Sequence, residues 1–263
     1  MPARDLWQRL QEDGEIRLNS PMELMRFTLI YDGPLKAQSK GDCRTDAKHA
    51  IREAFHKQLV ELWNERVPLR RALDYYKRFG PFTPRAQKSS VLFEQVKPPS
   101  SSFPRAMQPA GAELDRAIAQ MDAQATAQKR GILVAFDRKG FQFVPLVTGH
   151  FDLVCELDIL FLRAEPPGTL FTNTRGDLDN RLKTLFDALC VPKPEQLPQT
   201  WEPSDHQRPF FCLLEDDKLV TAIRVESERL LDEPQESSRV KLVIRATMKT
   251  RRVSLVTLDI EGD

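Results

Sequence analysis

"HFDLVCELDILFLRAEP", residues 150–166, alternates apolar and polar side chains over most of its length. Alternation with a period of two predicts a β-strand that buries one face. A turn-rich stretch follows, and residues 180–190 then place apolar side chains at helical spacing, which predicts a helix. Because a single strand and helix cannot close a core, the flanking sequence must supply further strands.

Three elements are predicted ahead of residue 66. "LMRFTLIYDGP" (24–34) favours a strand that ends at Asp-Gly-Pro. "DAKHAIREAFHKQLVELWNE" (46–65) predicts a helix, with Asp46 placed to cap its start. Residues 4–13 predict a short amphipathic helix, which we expect to be an appendage.

Residues 66–149 differ in character, and we expect them to form an insertion. A proline- and serine-rich connector occupies 97–111, and a helix is predicted over 112–129. "GILVAFDRKGFQFVPLVTG" (131–149) predicts a β-hairpin that turns at Asp-Arg-Lys-Gly.

The rest of the chain adds strands. After a proline-rich stretch (191–210), residues 211–231 and 239–249 are predicted as strands. This order of elements predicts a mixed α/β domain of the α+β kind. The expected parts are a helical appendage over 1–23, a core over 24–65 and 150–250, and an inserted subdomain over 66–149 that carries the proline- and serine-rich loop and the hairpin.

Composition sets limits on partners and location. The formal net charge of the 263 residues is +1, so any surface for nucleic acid must be a local basic patch. No run approaches the roughly 18 apolar residues that a membrane span needs, and the start of the chain lacks the apolar region of a secretion signal. Four scattered cysteines favour buried free thiols over a zinc site. These features predict a cytoplasmic protein that does not contact membranes.

"RGDLDNRLKTLFDAL" (175–189) places Asp177 and Asp179 where a loop enters the predicted helix. Carboxylates are favoured at helix N-termini, so one interpretation is that one aspartate caps the helix and the other complements its dipole. A second acidic cluster in "LLEDDKLV" (213–220) supports another interpretation. Two acidic clusters and a lysine could form a site for a hard cation, because oxygen ligands suit Mg²⁺ or Mn²⁺.

Lys183 also has two interpretations. It follows Asp179 by four residues, so the two side chains share a helix face. Asp187 lies a further four residues on, and a surface ion pair between Lys183 and Asp187 would be purely structural. Alternatively, the Lys183 ammonium points at a scissile phosphate and stabilises the charge that develops there.

These two segments resemble the RusA-type Holliday-junction resolvases. The signature of that family is Asp-Leu/Ile-Asp-Asn, a lysine three residues later, Asp-Ala-Leu, and a later Asp-Asp pair. The resemblance covers about 155–225, with a weaker match over 25–64. It implies a RusA-like core of sheet and helices, which this chain would interrupt with a large insertion between the first helix and the second core strand.

The resemblance also implies roles for individual residues. Asp177, Asp179 and Asp217 would be metal-binding catalytic carboxylates, and Lys183 the catalytic lysine. It further implies a homodimer that cleaves branched DNA with Mg²⁺. Asp216 would be a further metal ligand. Asn180 and Asp187 would be structural or would contact the residues that bind the metal.

The sequence offers candidates for contact with DNA. In "RVKLVIRATMKTR" (239–251) the basic residues all have the same parity, so on a strand they share one face. An exposed sheet face gives the same pattern without any ligand. Basic residues over 66–78 could also bind DNA, although a solvated helix face is the favoured interpretation. The candidates are Arg175, Arg181, Arg239, Lys241, Arg245, Lys249 and Arg251.

Taken together, the residues and the resemblance favour a Mg²⁺-dependent endonuclease that cleaves phosphodiesters in branched DNA such as Holliday junctions. An alternative is a catalytically silent nucleic-acid-binding or scaffold protein with the same fold. A third is a metal-dependent transferase acting on small phosphate esters, and the lack of a glycine-rich phosphate loop weighs against it.

Overall fold

The computed structural model describes residues 15–36, 45–79, 133–164, 178–231, 239–254 and 257. The chain forms seven strands and three α-helices within these ranges. The predicted helices over 4–13 and 112–129, and the connector over 97–111, lie outside them. The elements are β1 (Glu15–Pro34), α1 (Thr45–Glu65), α2 (Val67–Phe79), β2 (Phe136–Arg138), β3 (Phe141–Val147), β4 (Leu153–Arg163), α3 (Leu178–Leu189), β5 (Phe210–Leu214), β6 (Val220–Arg229) and β7 (Arg239–Ser254).

The larger sheet has the strand order β1-β7-β4-β6. Strand β7 is antiparallel to both of its neighbours, and β6 is parallel to β4. Mixed sheets together with helices confirm the predicted α+β class. Strand β1 begins at Glu15 rather than at residue 24, because residues 15–17 pair with the end of β7. Residues 15–23 therefore belong to the sheet and not to an appendage.

The helices cover one face of this sheet. Every second residue of β7 from Val240 to Met248 is buried, as the parity of the sequence predicts. Ile51, Phe55 and Leu59 of α1 are buried in the same hydrophobic core, as is Leu185 of α3. The apolar periodicity of the sequence thus places α1 and α3 correctly on the inner face of the sheet.

The outer edge of β1 is covered at one point by a side chain of α1. The Gln58 side chain accepts a hydrogen bond from the Ile30 N–H (2.8 Å) and donates one to the Ile30 carbonyl (2.7 Å). This amide takes the place of a neighbouring strand. It satisfies backbone groups that an edge strand otherwise leaves open to pairing with another chain.

The hairpin of β2 and β3 forms as predicted, with positive φ at Lys139 and Gly140 in its turn. It does not belong to a separate subdomain. Strand β3 pairs in parallel with β5, and Leu146 and Val147 lie in the main hydrophobic core. Helix α2 joins the same core, so the described parts of 66–149 are integral to the fold.

Residues 211–231, which the sequence predicts as one strand, form two strands. Strand β5 belongs to the three-stranded sheet β2-β3-β5, whereas β6 belongs to the larger sheet. A 3₁₀ turn over Asp217–Leu219 separates them. The chain therefore changes sheets at the second acidic cluster.

The proline-rich stretch 191–210 packs on the smaller sheet. It contains two 3₁₀ turns, Pro194–Gln196 and Asp205–Gln207. Between them, Leu197 and Trp201 pack in a hydrophobic cluster with residues of β3 and β5. The stretch therefore covers a sheet face that would otherwise be exposed.

Two histidines of α1 pack against this region. The His49 ring lies 4.4 Å from the Trp201 ring, and the His56 ring lies 4.2 Å from the Phe210 ring. His56 Nδ1 accepts a hydrogen bond from the Phe211 N–H (2.9 Å). Burial lowers the pKa of both imidazoles, that of His49 to about 4. Both are therefore neutral at pH 7.

No helix in the described ranges is long and apolar enough to cross a membrane.

Candidate active site

The first acidic cluster lies at the start of α3. Because α3 begins at Leu178, Asp177 immediately precedes it and lies outside the described residues. Lys183 Nζ lies 3.2 Å from Asp179 Oδ2, and the two side chains are 60% and 63% exposed. The predicted shared helix face is confirmed, whereas the alternative ion pair of Lys183 with Asp187 does not form, because Lys183 pairs with Asp179. An exposed carboxylate–ammonium pair is accessible to a ligand from solvent.

Asp187 is bound by two cations of α1. Its Oδ2 lies 2.6 Å from the Nζ of Lys48, whose side chain is 3% exposed. The Arg52 guanidinium, also buried, donates to the Asp187 carbonyl at 2.9 Å. Burial of the Arg52 guanidinium lowers its pKa. These contacts fix α3 on α1, so the described role of Asp187 is to hold the helix that carries Asp179 and Lys183.

Sequence patterns did not identify Lys48 as the partner of Asp187, because the two residues are 139 positions apart. The sequence signal that could have suggested such a partner is a lysine on the apolar face of a predicted helix, because a lysine buried there needs a carboxylate beside it.

Asn180 and Arg181 follow Asp179 in the first turn of α3. The single proton of the Thr184 hydroxyl is shared between the Asn180 carbonyl (3.2 Å) and the Lys36 carbonyl (3.1 Å). Arg181 is buried, with 5% of its surface exposed. Its position facing the core overturns its assignment as a DNA contact. Arg175 lies outside the described residues.

In the second acidic cluster, Glu215 has a structural role. Its Oε2 accepts hydrogen bonds from Thr148 Oγ1 (2.6 Å) and from the Gly149 N–H (2.9 Å). This carboxylate ties the end of β5 to the turn after β3, which leaves Asp216 and Asp217 as the candidate ligands.

Asp216 and Asp217 lie at the start of the 3₁₀ turn between β5 and β6. Asp216 Oδ1 accepts a hydrogen bond from the Lys218 N–H (3.0 Å), and this bond is the main cause of its lowered pKa. Its second oxygen lies 3.4 Å from Lys218 Nζ. Asp217 is exposed. Asp216 is therefore anionic at neutral pH, as a metal ligand must be.

The two acidic clusters lie near opposite ends of α3. Leu214, at the end of β5, bridges to Cys190, directly after the last residue of the helix. Burial raises the pKa of the Cys190 thiol, and the nearby Asp217 and Asp216 carboxylates raise it further. Asp179 lies at the other end, and the helix rises about 15 Å between Asp179 and Leu189.

A single hard cation binds its oxygen ligands at roughly 2.0–2.6 Å. Within one copy of the chain, Asp179 and the Asp216–Asp217 segment are therefore too far apart to bind the same ion. The described residues contain no group of three or more His, Cys, Asp or Glu side chains arranged to hold a metal. The donor chemistry of the carboxylates fits Mg²⁺ or Mn²⁺. The metal site remains a prediction.

The basic residues of β7 share the outer face of the sheet, as predicted, but acidic partners neutralise several of them. Arg239 donates to Asp32 of β1 at 2.8 and 3.0 Å. On the other side, Lys249 lies 2.6 Å from Glu156 of β4. Asp32 also lies opposite Lys241 in the register. Arg245 and Asp158 form a further pair at 3.9 Å, and Arg251 is exposed.

Comparison with known proteins identifies no relative. No family model matches the chain, and no curated protein or solved structure matches it. The function must therefore be argued from the residues and their geometry.

Proposed function

We propose that the protein is a Mg²⁺-dependent endonuclease that cleaves branched DNA, as its resemblance to the RusA-type resolvases implies. One observation carries the proposal. Asp179 and Lys183 form an exposed pair on a helix that a partly buried ion pair holds in place, and Asp177 directly precedes that helix. A rigid support with an exposed anionic and cationic group suits the positioning that phosphodiester cleavage needs.

Asp177 and Asp179 would hold the cation, which would supply electrophilic assistance at the phosphate. Asp179 now accepts from Lys183. Engagement of Asp179 as a ligand would weaken this pair and leave the Lys183 ammonium available to a phosphate oxygen. There it would stabilise the negative charge that develops during attack.

The protein would act as a homodimer in which each site is shared between two copies. A two-fold axis near the middle of α3 would bring Asp179 of one copy towards Asp217 of the other, since these residues lie near opposite ends of the helix. Such an arrangement creates two equivalent sites, which suits paired cuts across a symmetric junction.

The sharing can be tested by mixing two inactive variants, Asp179→Asn and Asp217→Asn. In a shared-site dimer, each mixed dimer has one site with both aspartates intact, so a 1:1 mixture should recover about a quarter of the wild-type sites. Each variant alone should be inactive. If the mixture stays inactive after subunit exchange has been verified, the sites are not shared in this way.

The cleavage itself is tested with purified protein on a panel of four-way junctions, flaps, forks and linear duplexes. We expect products from branched DNA with Mg²⁺ and none with chelator. A lack of cleavage on every substrate, with Mg²⁺ or Mn²⁺, would overturn the nuclease assignment.

A second candidate is a nucleic-acid-binding or scaffold protein without activity. It is favoured by the Lys183–Asp179 pair, since a lysine that neutralises its neighbouring carboxylate needs no metal. Binding of branched DNA that is unaffected by Mg²⁺, with no cleavage on the same panel, would support this candidate instead.

A further inference from the structure

We infer that the exposed face of α2 binds the phosphate backbone of DNA. The inference rests on the proposed action on DNA and names a surface that the resolvase resemblance does not cover. Helix α2 buries Leu69, Ala72 and Leu73 in the core of the protein. Its opposite side carries four basic residues and one acidic residue, and all five are exposed. These are Arg70, Arg71, Lys77, Arg78 and Asp74.

The basic residues lie on one side of the helix. At 100° per residue, the five exposed positions fall within an arc of about 120°. Asp74 lies inside this arc, so the surface has a formal net charge of +3. From Arg70 to Arg78 the helix rises about 12 Å. One DNA strand carries a phosphate about every 3.4 Å along the axis, so this length matches three to four phosphates.

The charge on α2 differs from that on β7 in one respect. Arg239, Arg245 and Lys249 of β7 are each within ion-pair distance of an acidic side chain on a neighbouring strand. Within the described ranges, none of the four basic side chains of α2 has an acidic partner at that distance. A phosphate that approaches β7 must displace a carboxylate, whereas one that approaches α2 displaces only water and counterions.

The neighbouring cavity adds little positive charge to the exposed face of α2. A small open cavity of about 180 Å³ lies between β1 and the start of α2 and is lined in part by Arg26 and Arg66. Arg26 pairs with Glu23, which also lines the cavity, at 2.8 Å. The inference is therefore limited to the four basic side chains of α2.

The chemistry favours nucleic acid over a membrane. A helix that binds a bilayer inserts its apolar face into the lipid. The apolar face of α2 is buried, with Leu69 fully inaccessible, so only the charged face can meet a partner. Three of the four cations are arginines, whose planar guanidinium suits two-point contact with phosphate.

The test compares two double variants with the same loss of charge. In Arg70→Gln/Lys77→Gln the α2 surface loses two cations, and in Arg245→Gln/Lys249→Gln the paired β7 face loses two. Glutamine keeps the helix propensity of α2. Binding to labelled duplex and four-way junction DNA is measured by fluorescence anisotropy in chelator from 50 to 200 mM salt, so that binding is separated from cleavage. Circular dichroism and thermal unfolding show that each variant is folded.

We expect the α2 variant to bind both DNAs more weakly than the wild-type protein. The slope of the logarithm of the association constant against the logarithm of the salt concentration should be shallower by about 1.8, since each lost phosphate contact removes about 0.9. The β7 variant should change this slope by less than half as much. Unchanged affinity and slope for the folded α2 variant, or equal losses for the two variants, would overturn the inference. A third result would also overturn it. In that result the wild-type protein binds phosphatidylserine vesicles but not DNA, and the α2 variant no longer binds the vesicles.

Such a failure is distinguishable from a failure of the proposed function. Mg²⁺-dependent cleavage that persists with normal affinity in the α2 variant would refute only the inferred surface. Loss of affinity in a protein that never cleaves would refute only the nuclease.

Discussion

Removal of the Asp187 carboxylate should destabilise the protein more than removal of its partner Lys48. The Lys48 side chain is 3% exposed and the Asp187 side chain 33%, with Nζ and Oδ2 2.6 Å apart. Asp187→Ala leaves a buried ammonium without its counter-charge, and breaking a buried pair from one side costs about 3–5 kcal/mol. Since water reaches a third of Asp187, we expect the lower limit, about 3 kcal/mol. Lys48→Met leaves a carboxylate that water can solvate, and should cost about 1 kcal/mol.

Urea unfolding at pH 7, followed by far-UV circular dichroism, measures both changes in the free energy of unfolding. The double variant Lys48→Met/Asp187→Ala completes a double-mutant cycle. It should be more stable than Asp187→Ala alone, because the buried ammonium without a counter-charge is gone. Lys183→Met is the matched control. It breaks an exposed pair on the same helix and should cost less than 0.5 kcal/mol. If Lys48→Met costs as much as Asp187→Ala, burial does not control the energetics of the pair.

Three further predictions concern the site and the histidines. Asp177→Asn should abolish Mg²⁺-dependent cleavage and leave the melting temperature unchanged, because asparagine caps helices as well as aspartate does; near-normal cleavage would identify Asp177 as a cap only. Lys183→Ala should keep metal binding, measured by calorimetry, but slow cleavage by about 10²–10³-fold, and an unchanged rate would exclude its role at the phosphate. The free energy of unfolding should fall as the pH drops from about 6.5 towards 4, since the unfolded chain binds protons at His49 and His56 that the folded chain excludes. His49 alone should contribute about 3 kcal/mol to this loss, so His49→Phe should flatten the profile.

Local patterns predicted the parts of the fold that depend on periodicity. The alternation in β7 identified its buried face, and apolar spacing located α1 and α3 to within two residues at each end. Sequence patterns did not predict the change of sheet between β5 and β6, because it depends on Glu215 binding Thr148 and Gly149, which are distant in sequence. Local patterns contain no information about such partners.

The same limit applies to the site. The spacing of Asp179 and Lys183 predicted a shared helix face, and the structure contains their ion pair. The sequence could not place the second acidic cluster relative to the first. That position depends on how the chain returns from α3 to β5, and the bridge between Cys190 and Leu214 settles it near the far end of the helix. The neutralisation of β7 likewise depends on which strands become its neighbours.

The position of β7 within the larger sheet constrains how the protein reaches its native state. This strand comes last among the described strands, yet it lies between β1 and β4. Arg239 and its partner Asp32 are 207 residues apart. During synthesis on a ribosome, β1 therefore has no neighbour among the described strands until residues 239–254 emerge. Such distant pairing slows folding and leaves unpaired strands open to aggregation while the chain waits. Gln58, only 28 residues from Ile30, can shield one edge of β1 during that interval.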